Sequence, residues 1–92
     1  MKAKIRFFAR FRELFGTEII AETLPGTTLT GFIRQVAGKN KEGNDAIFDE
    51  NGAFREFVII MRNTKRVDIA HAGNVLITDG DDIAIFPPVA GG

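Results

Sequence analysis

The chain contains no cysteine, no tryptophan and no tyrosine, and its one histidine is His71. Without cysteine the protein can form no disulfide bond, no thiolate metal site and no thiol nucleophile. His71 has no second histidine or cysteine with which to complete a familiar metal site, so we interpret it as a loop residue. These absences predict a protein that binds no metal or cofactor of its own and catalyses no reaction alone.

The sequence also lacks a long hydrophobic run and an excess of either charge. Its apolar runs are far shorter than the ~18 residues of a membrane-spanning helix. The opening stretch MKAKIRFFARFR alternates basic and apolar residues, which does not fit a signal peptide. Residues 1–12 are basic, but the formal net charge is zero, which argues against nucleic acid as the main partner. We expect a cytoplasmic protein that has neither a membrane nor a nucleic acid as its partner.

No glycine-rich nucleotide motif is present either, since neither G-x-G-x-x-G nor a Walker pattern occurs. Three aspartates, Asp79, Asp81 and Asp82, crowd the approach to the last predicted strand. They lack the alternating ligands and the distal glutamate of a calcium-binding EF-hand. We interpret Asp79-Gly80-Asp81 as a turn and not as a metal site.

What the sequence does contain is typical of one small globular domain. Of its 92 residues, 45% are hydrophobic and 26% are charged. The first stretch, AKIRFFA, alternates as a strand with one buried face. The alternation directs Ile5, Phe7 and Ala9 inward and Lys4, Arg6 and Phe8 outward.

Further elements are predicted from periodicity and turn residues. A helical stripe of Leu29, Phe32, Ile33 and Val36 follows a Thr27 or Thr28 cap. The other predicted elements, in chain order, are a short helix around 11–15, a strand in TEIIAETL, an irregular segment 38–54 pinned by Ile47, Phe48 and Phe54, a strand in REFVIIMRN, a turn over 63–66, a return strand VDIA, a TDGDD turn and a last strand IAIF.

One apolar helix stripe and one apolar sheet face must cover each other, which predicts a two-layer α+β domain. A mixed sheet packed on one main helix is typical of a β-grasp, or ubiquitin-like, roll. We place this domain at residues 1–86 and an extended C-terminal tail at residues 87–92, ending in Gly-Gly.

The last strand and the first strand together suggest a docking surface. Alternation directs Ile83 and Ile85 toward the core and Asp82, Ala84 and Phe86 outward. If the two strands are neighbours, Phe8 and Phe86 form an outward-facing aromatic pair beside Arg6 and Lys4. An apolar patch with a charged rim is typical of a surface that binds a protein partner.

The tail carries the one distinctive functional group of the chain. Pro87 and Pro88 favour extended geometry, and residues 87–92 reach about 20 Å at ~3.3 Å per residue. Gly91 and Gly92 have no Cβ, so the chain end can pass through a narrow channel. The Gly92 carboxylate is a poor electrophile, and we expect another protein to activate it.

The two ends of the chain resemble a known family. KIRFFARFRELFG and TDGDDIAIFPPVAGG resemble the opening and the ending of the MoaD-type sulfur carriers, the small subunits of molybdopterin synthase within the MoaD/ThiS ubiquitin-like family. The segment 38–54 is longer than in the shortest members and matches no motif. By position, Gly91 and Gly92 match the carrier terminus, and Phe8 and Phe86 match the family's exposed contact residues.

The resemblance implies a β-grasp fold and a defined chemistry. An E1-like, MoeB-type adenylyltransferase uses ATP to convert the Gly92 carboxylate into an acyl-adenylate, and a sulfur donor replaces AMP to leave a thiocarboxylate. The tail, Pro87 to Gly92 including Val89 and Ala90, inserts into a MoaE-type large subunit, where the sulfur passes to a cyclic pterin precursor. ATP is used by the activating partner and not bound by the carrier itself.

Three alternatives stay open at this point. A ubiquitin-like protein modifier would join Gly92 to lysines of other proteins after the same adenylation. A thiazole-pathway sulfur carrier shares the fold and the Gly-Gly end, although it is typically shorter and lacks FPP. A ubiquitin-like binding module would leave the tail inert.

Overall fold

The computed structural model describes residues 1–87. The elements in chain order are β1 (Lys2–Phe7), α1 (Arg10–Phe15), β2 (Glu18–Glu22), α2 (Leu29–Ala37), α3 (Lys41–Ile47), β3 (Ile59–Arg62), β4 (Lys65–Val67), a 3-10 turn (Ala72–Asn74) and β5 (Asp82–Phe86). No helix in the described part of the chain is long and apolar enough to cross a bilayer.

The five strands form one mixed sheet in the order β2-β1-β5-β3-β4. The first and last strands are central and parallel, with Ile5 opposite Ile83, whereas the other pairs are antiparallel. A central parallel pair with an antiparallel strand pair on each side is the β-grasp arrangement. The predicted α+β fold is therefore confirmed.

Helix α2 packs across the inner face of the sheet. The Thr28 side chain caps it by accepting a hydrogen bond from the Gly31 amide at 3.0 Å. The four residues of the predicted stripe are all buried: Leu29, Phe32, Ile33 and Val36. Burial of each such side chain stabilises the fold by about 1.5–3 kcal/mol, so this helix anchors the core.

The predicted strand over residues 55–63 is wrong at both ends, because β3 spans only Ile59–Arg62. Phe57 has a φ of 67°, which no strand residue adopts, and its side chain is 74% exposed. Residues 56 and 57 form a turn that redirects the chain into β3. Alternation alone did not reveal this turn, since it contains no glycine or proline.

The hairpin after β3 is tighter than predicted. Asn63 and Thr64 have φ values of 49° and 71°, and β4 begins at Lys65. Two residues in the left-handed region form the turn whose twist matches the flanking strands. The predicted four-residue turn over 63–66 is therefore too long, and the predicted return strand VDIA is wrong except for Val67.

Within the segment predicted to be irregular, residues 41–47 form α3. The Asn40 side chain caps this helix through the Gly43 amide at 3.0 Å and donates to the Leu14 carbonyl at 2.6 Å. A Cβ on Gly43 would lie 2.1 Å from the Phe15 ring, so only glycine lets α3 lie this close to α1.

The predicted anchors of this segment are confirmed. Ile47 and Phe48 are buried in the core, and Phe54 packs against the Phe48 ring at 4.7 Å between centroids. The sequence did not predict α3 because KEGNDAI carries few strong helix formers and too little apolar periodicity. Tertiary packing of Gly43 and Ile47 stabilises the helix instead.

Candidate partner-binding site

The parallel pairing of β1 and β5 brings two aromatic rings together. Phe7 lies opposite Ile85, so the next residues, Phe8 and Phe86, emerge side by side on the outer face of the sheet. Their rings stack with centroids 4.3 Å apart and planes 12° apart. Both side chains are half-buried. The structure contains the aromatic pair that alternation predicted. The role of this pair in binding a partner stays a prediction.

More apolar side chains extend this pair across the outer face. Ile59 lies opposite Phe86, and Met61 lies opposite Ala84. Ala84 faces outward as predicted, yet it is only 4% exposed because its small side chain sits between longer neighbours. We call Phe8, Phe86, Ile59 and Met61 the outer apolar patch. It is continuous across three strands, as a protein-binding surface requires.

Arg6 lies at the edge of the outer apolar patch. Its Nε donates to the Asp82 carboxylate at 3.0 Å, and its guanidinium carbon lies 5.8 Å from the centre of the Phe8 ring. Both ends of this ion pair are about one-third exposed. Such a pair contributes little to stability, roughly 0–1 kcal/mol, but it holds the cation beside the aromatic rings. Its predicted part in partner binding is compatible with this position.

The opposite end of β5 holds a polar cluster centred on Asp81, which is 3% exposed. Its carboxylate accepts hydrogen bonds from Arg62 Nε at 2.9 Å, Asn63 Nδ2 at 3.0 Å, and the Thr78 amide and hydroxyl at 2.9 and 2.8 Å. Burial disfavours the charged form, but the hydrogen bonds outweigh it and lower the pKa of Asp81 to about 2.

The other two aspartates of the TDGDD stretch also have separate partners. Asp79 accepts from the Lys2 amide at 2.8 Å, and Asp82 accepts from Arg6. Within residues 1–87, no group of three or more His, Cys, Asp or Glu side chains could hold a metal ion. The aspartates therefore act as turn and strand anchors, which agrees with the predicted turn.

His71 lies in the loop before the 3-10 turn and is exposed. Its Nδ1 is 3.7 Å from an Asp68 carboxylate oxygen, and both side chains lie mostly in solvent. The position agrees with the interpretation of His71 as an ordinary loop residue.

Sequence reasoning missed a groove beside the outer apolar patch. It has a volume of about 790 Å³ and lies between the start of α1, helix α3, the turn before β3 and the end of β5. Phe11, Ala46 and Ile59 are among its apolar lining residues, and Phe86 and Pro87 close one side. Four distant segments form it, so no local sequence signal could have revealed it.

The predicted carrier tail begins at this groove. Pro87 is half-buried and is the last described residue. The other predicted tail residues lie outside the described part of the chain: Pro88, Val89, Ala90, Gly91 and Gly92. The functional roles assigned to all six stay predictions.

Comparisons with known proteins agree with this geometry. The chain is 33% identical over 89 residues to the molybdopterin synthase sulfur carrier subunit of Escherichia coli, covering 97% of this chain and 98% of that protein. It is 29% identical over 92 residues to small archaeal modifier protein 3 of Haloferax volcanii, covering 100% of both.

A solved structure gives the same fold. SAMP1 from Haloferax volcanii superposes with a TM-score of 0.87 at 22% identity, and the match covers 100% of both chains. At this identity the likeness establishes the β-grasp architecture alone. Residues 5–92, nearly the whole chain, match the ThiS family. The protein therefore belongs to the ThiS family of ubiquitin-like sulfur carriers and modifiers.

Proposed function

We propose that this protein is a sulfur carrier for molybdopterin synthesis and that its reactive group is the terminal carboxylate of Gly92. The observation that carries the proposal is the stacked pair Phe8–Phe86 on the outer face, where β5 leads into the FPPVAGG ending. The full-length similarity to a relative named molybdopterin synthase sulfur carrier subunit supports it.

The chemistry has two steps at the Gly92 carboxyl group, the first at its oxygen and the second at its carbon. A carboxylate oxygen of Gly92 attacks the α-phosphorus of ATP on an activating E1-like, MoeB-type adenylyltransferase, and pyrophosphate leaves. A sulfur nucleophile such as hydrosulfide then attacks the carbonyl carbon, and AMP leaves, so that a thiocarboxylate remains. No redox change occurs in either step. The carrier contributes position and access, because ATP is bound by the partner.

The described residues supply the means of docking. The outer apolar patch would bind a larger protein, either the activating enzyme or a MoaE-type large subunit, with Arg6 at its rim. The residues after Pro87 would then enter the partner's channel, which Gly91 and Gly92 can pass because they carry no side chains. In the large subunit the thiocarboxylate would give its sulfur to a cyclic pterin precursor. We place these reactions in the cytoplasm, where ATP and the partners are available.

A second candidate function is protein modification. The observation that favours it is the similarity to small archaeal modifier protein 3, which covers 100% of this chain. A modifier uses the same acyl-adenylate, but a lysine amine takes the place of sulfur as the nucleophile and an amide bond forms. The two functions share the docking surface and differ only in what attacks the activated carbon.

Intact-mass measurement separates the two functions. The purified chain is incubated with ATP, sulfide and an adenylyltransferase from the same source. A sulfur carrier gains the mass difference between sulfur and oxygen. A modifier instead stays joined through an isopeptide bond to lysines of other proteins, where trypsin leaves residues 67–92 as a branch because no lysine or arginine follows Arg66. If neither product forms, the terminus is inert and the proposal is wrong.

We predict that one alanine added after Gly92, or deletion of Gly92, abolishes sulfur transfer. The extra residue moves the carboxylate out of the position in which the partner activates it, whereas the core is untouched. The measurement is thiocarboxylate yield by mass, with a melting curve to confirm an unchanged fold. Full yield from the extended chain, without processing, would contradict the carrier function.

A further inference from the structure

The groove between α1, α3 and the end of β5 lies beside the outer apolar patch, with Ile59 and Phe86 common to both. Its lining includes Phe11, which is buried in the core, and the partly buried side chains of Ala46, Ile59 and Phe86, which leave part of their apolar surface uncovered. A volume of about 790 Å³ is the size of a site for several side-chain groups. Apolar surface left open at this scale is typical of a binding surface.

The walls of the groove are held in place. The tip of the Phe15 ring packs against Gly43, where a Cβ would lie 2.1 Å from it, and this close contact holds α3 on α1. Across the groove, Arg55 Nε donates to the Asp45 carbonyl at 2.7 Å, which ties the segment before β3 to α3. The groove is therefore preformed, and a partner would spend little free energy on ordering it.

Backbone strain also lies along this groove. Ala9, which lines it, has a φ of 52°, and Phe57, between the lining residues Arg55 and Ile59, has a φ of 67°. Outside glycine, the other positive φ values in residues 1–87 belong to the turn residues Asn63 and Thr64. A residue in this region costs of order 1–3 kcal/mol, and such costs cluster at functional sites.

We propose that the groove binds a segment of the activating adenylyltransferase that carries apolar side chains. This inference rests on the adenylation step of the proposed function, which the carrier and modifier alternatives share. Phe86 and Pro87 belong to the groove wall and also connect the outer apolar patch to the tail. An enzyme that covers the patch and holds the tail must therefore pass over the groove mouth.

The charges at the rim define the chemistry of this occupant. Two cations, Arg10 and Arg55, and two anions, Glu42 and Asp45, line the groove. Arg10 and Glu42 approach each other at 3.8 Å. The rim therefore has no net charge to select an ionic group, and the apolar floor favours an aliphatic or aromatic side chain.

The test fills the groove and follows adenylation. Ala46→Trp places an indole in it, Ala46→Glu places a charge in it, and Ala70→Trp is the matched control in an exposed loop that does not line it. Adenylation is measured by ATP–pyrophosphate exchange with the full chain as the varied substrate, beside melting curves. We expect both Ala46 variants to raise KM at least about tenfold with kcat little changed, and the control to match the native chain.

The outcomes separate this inference from the proposed function. If Phe86→Ala raises KM while both folded Ala46 variants do not, the groove proposal is overturned and the docking face stands. If Phe86→Ala has no effect either, both the groove and the docking face are wrong. An equal rise in KM for Ala70→Trp would show that added aromatic surface weakens binding wherever it is placed. This result would also overturn the proposal.

Two other occupants of the groove would each give a different result in these measurements. A lower KM in the Ala46 variants would show that the chain's own tail occupies the groove, because filling it would release the tail. A change in sedimentation from dimer to monomer would show that a second copy occupies it. Either result overturns the proposal.

Discussion

Strand β5 begins beside a buried polar cluster and ends beside a partly exposed apolar surface. The Asp81 carboxylate, next to the start of β5, is buried and accepts four hydrogen bonds from Arg62, Asn63 and Thr78. At the other end, Phe86 stacks on Phe8 and borders a groove of about 790 Å³. One strand thus connects a buried, fully hydrogen-bonded carboxylate to a partly exposed apolar surface.

The two ends of β5 differ in how fully their side chains are paired or covered within the domain. The buried Asp81 carboxylate already accepts hydrogen bonds from Arg62, Asn63 and Thr78, so this cluster gains little from a further contact. The stacked rings of Phe8 and Phe86 bury only part of each other's surface. Removing the remaining apolar surface from water is favourable. Stability and binding should therefore respond to mutations at opposite ends of the same strand.

The largest expected effect is on stability at the sealed end. Asp81→Asn removes the charge and presents an amide donor to Arg62 and Asn63, which already donate. We expect a loss of about 2–4 kcal/mol in the free energy of unfolding, because buried donors are left without an acceptor. Denaturant unfolding measures it, and Asp79→Asn at the exposed turn position is the control.

Partner affinity of the folded Asp81→Asn variant should equal that of the native chain. If it instead loses affinity as strongly as a variant at the Phe86 end, the two ends are coupled and the comparison fails.

The next effect is on binding at the open end. Phe86→Ala removes one ring of the stacked pair, and we expect partner binding to weaken by roughly 1–3 kcal/mol, the scale of an aromatic anchor. The melting temperature should change much less, since the ring is half-buried and lies on the outer face. Titration against the activating enzyme measures affinity, with the exposed Leu76→Ala as control.

A large stability loss with unchanged affinity would reverse this assignment. It would mean that Phe86 belongs to the structural half of the strand and that the outer apolar patch is not the docking surface.

The smallest effect is on the pH dependence of stability. The pKa of Asp81 is about 2 in the folded protein against an ordinary 3.8. Since folding lowers this pKa, the stabilisation is complete above about pH 4 and is lost as pH falls through 2. We expect roughly 1–2 kcal/mol from this group, after allowance for solvent screening.

The measurement is the free energy of unfolding at several pH values from 5 to 2. Asp81→Asn should lose less stability over this interval than the native chain does, because it has no carboxylate to protonate. Parallel curves for the two proteins would show that Asp81 does not supply the acid-sensitive stability.

Much of the open end could be predicted from the sequence. Alternation in AKIRFFA and IAIF assigned Phe8 and Phe86 to the outer face, and both rings are there. The stripe that begins at Leu29 identified the one helix that covers the sheet. These predictions succeed because a side chain's face depends on a period of two or 3.6 residues, which the sequence states locally.

The failures have a different cause. The turn at Phe57 and the second position of the hairpin, Thr64, depend on positive φ values in residues that do not favour them, so propensity pointed elsewhere. Helix α3 depends on the fit of Gly43 against Phe15, a contact between segments that are far apart in the chain. In each case tertiary packing outweighed local preference.

The sequence by itself determined the two layers, the buried helix stripe and the outward direction of the two rings. Only the tertiary structure decided that β1 and β5 are parallel neighbours, that α3 lies on α1, and that four segments enclose a groove beside Pro87. The physical reason is range: periodicity is a property of neighbouring residues, whereas pairing and enclosure depend on contacts between segments that meet only after the core has formed.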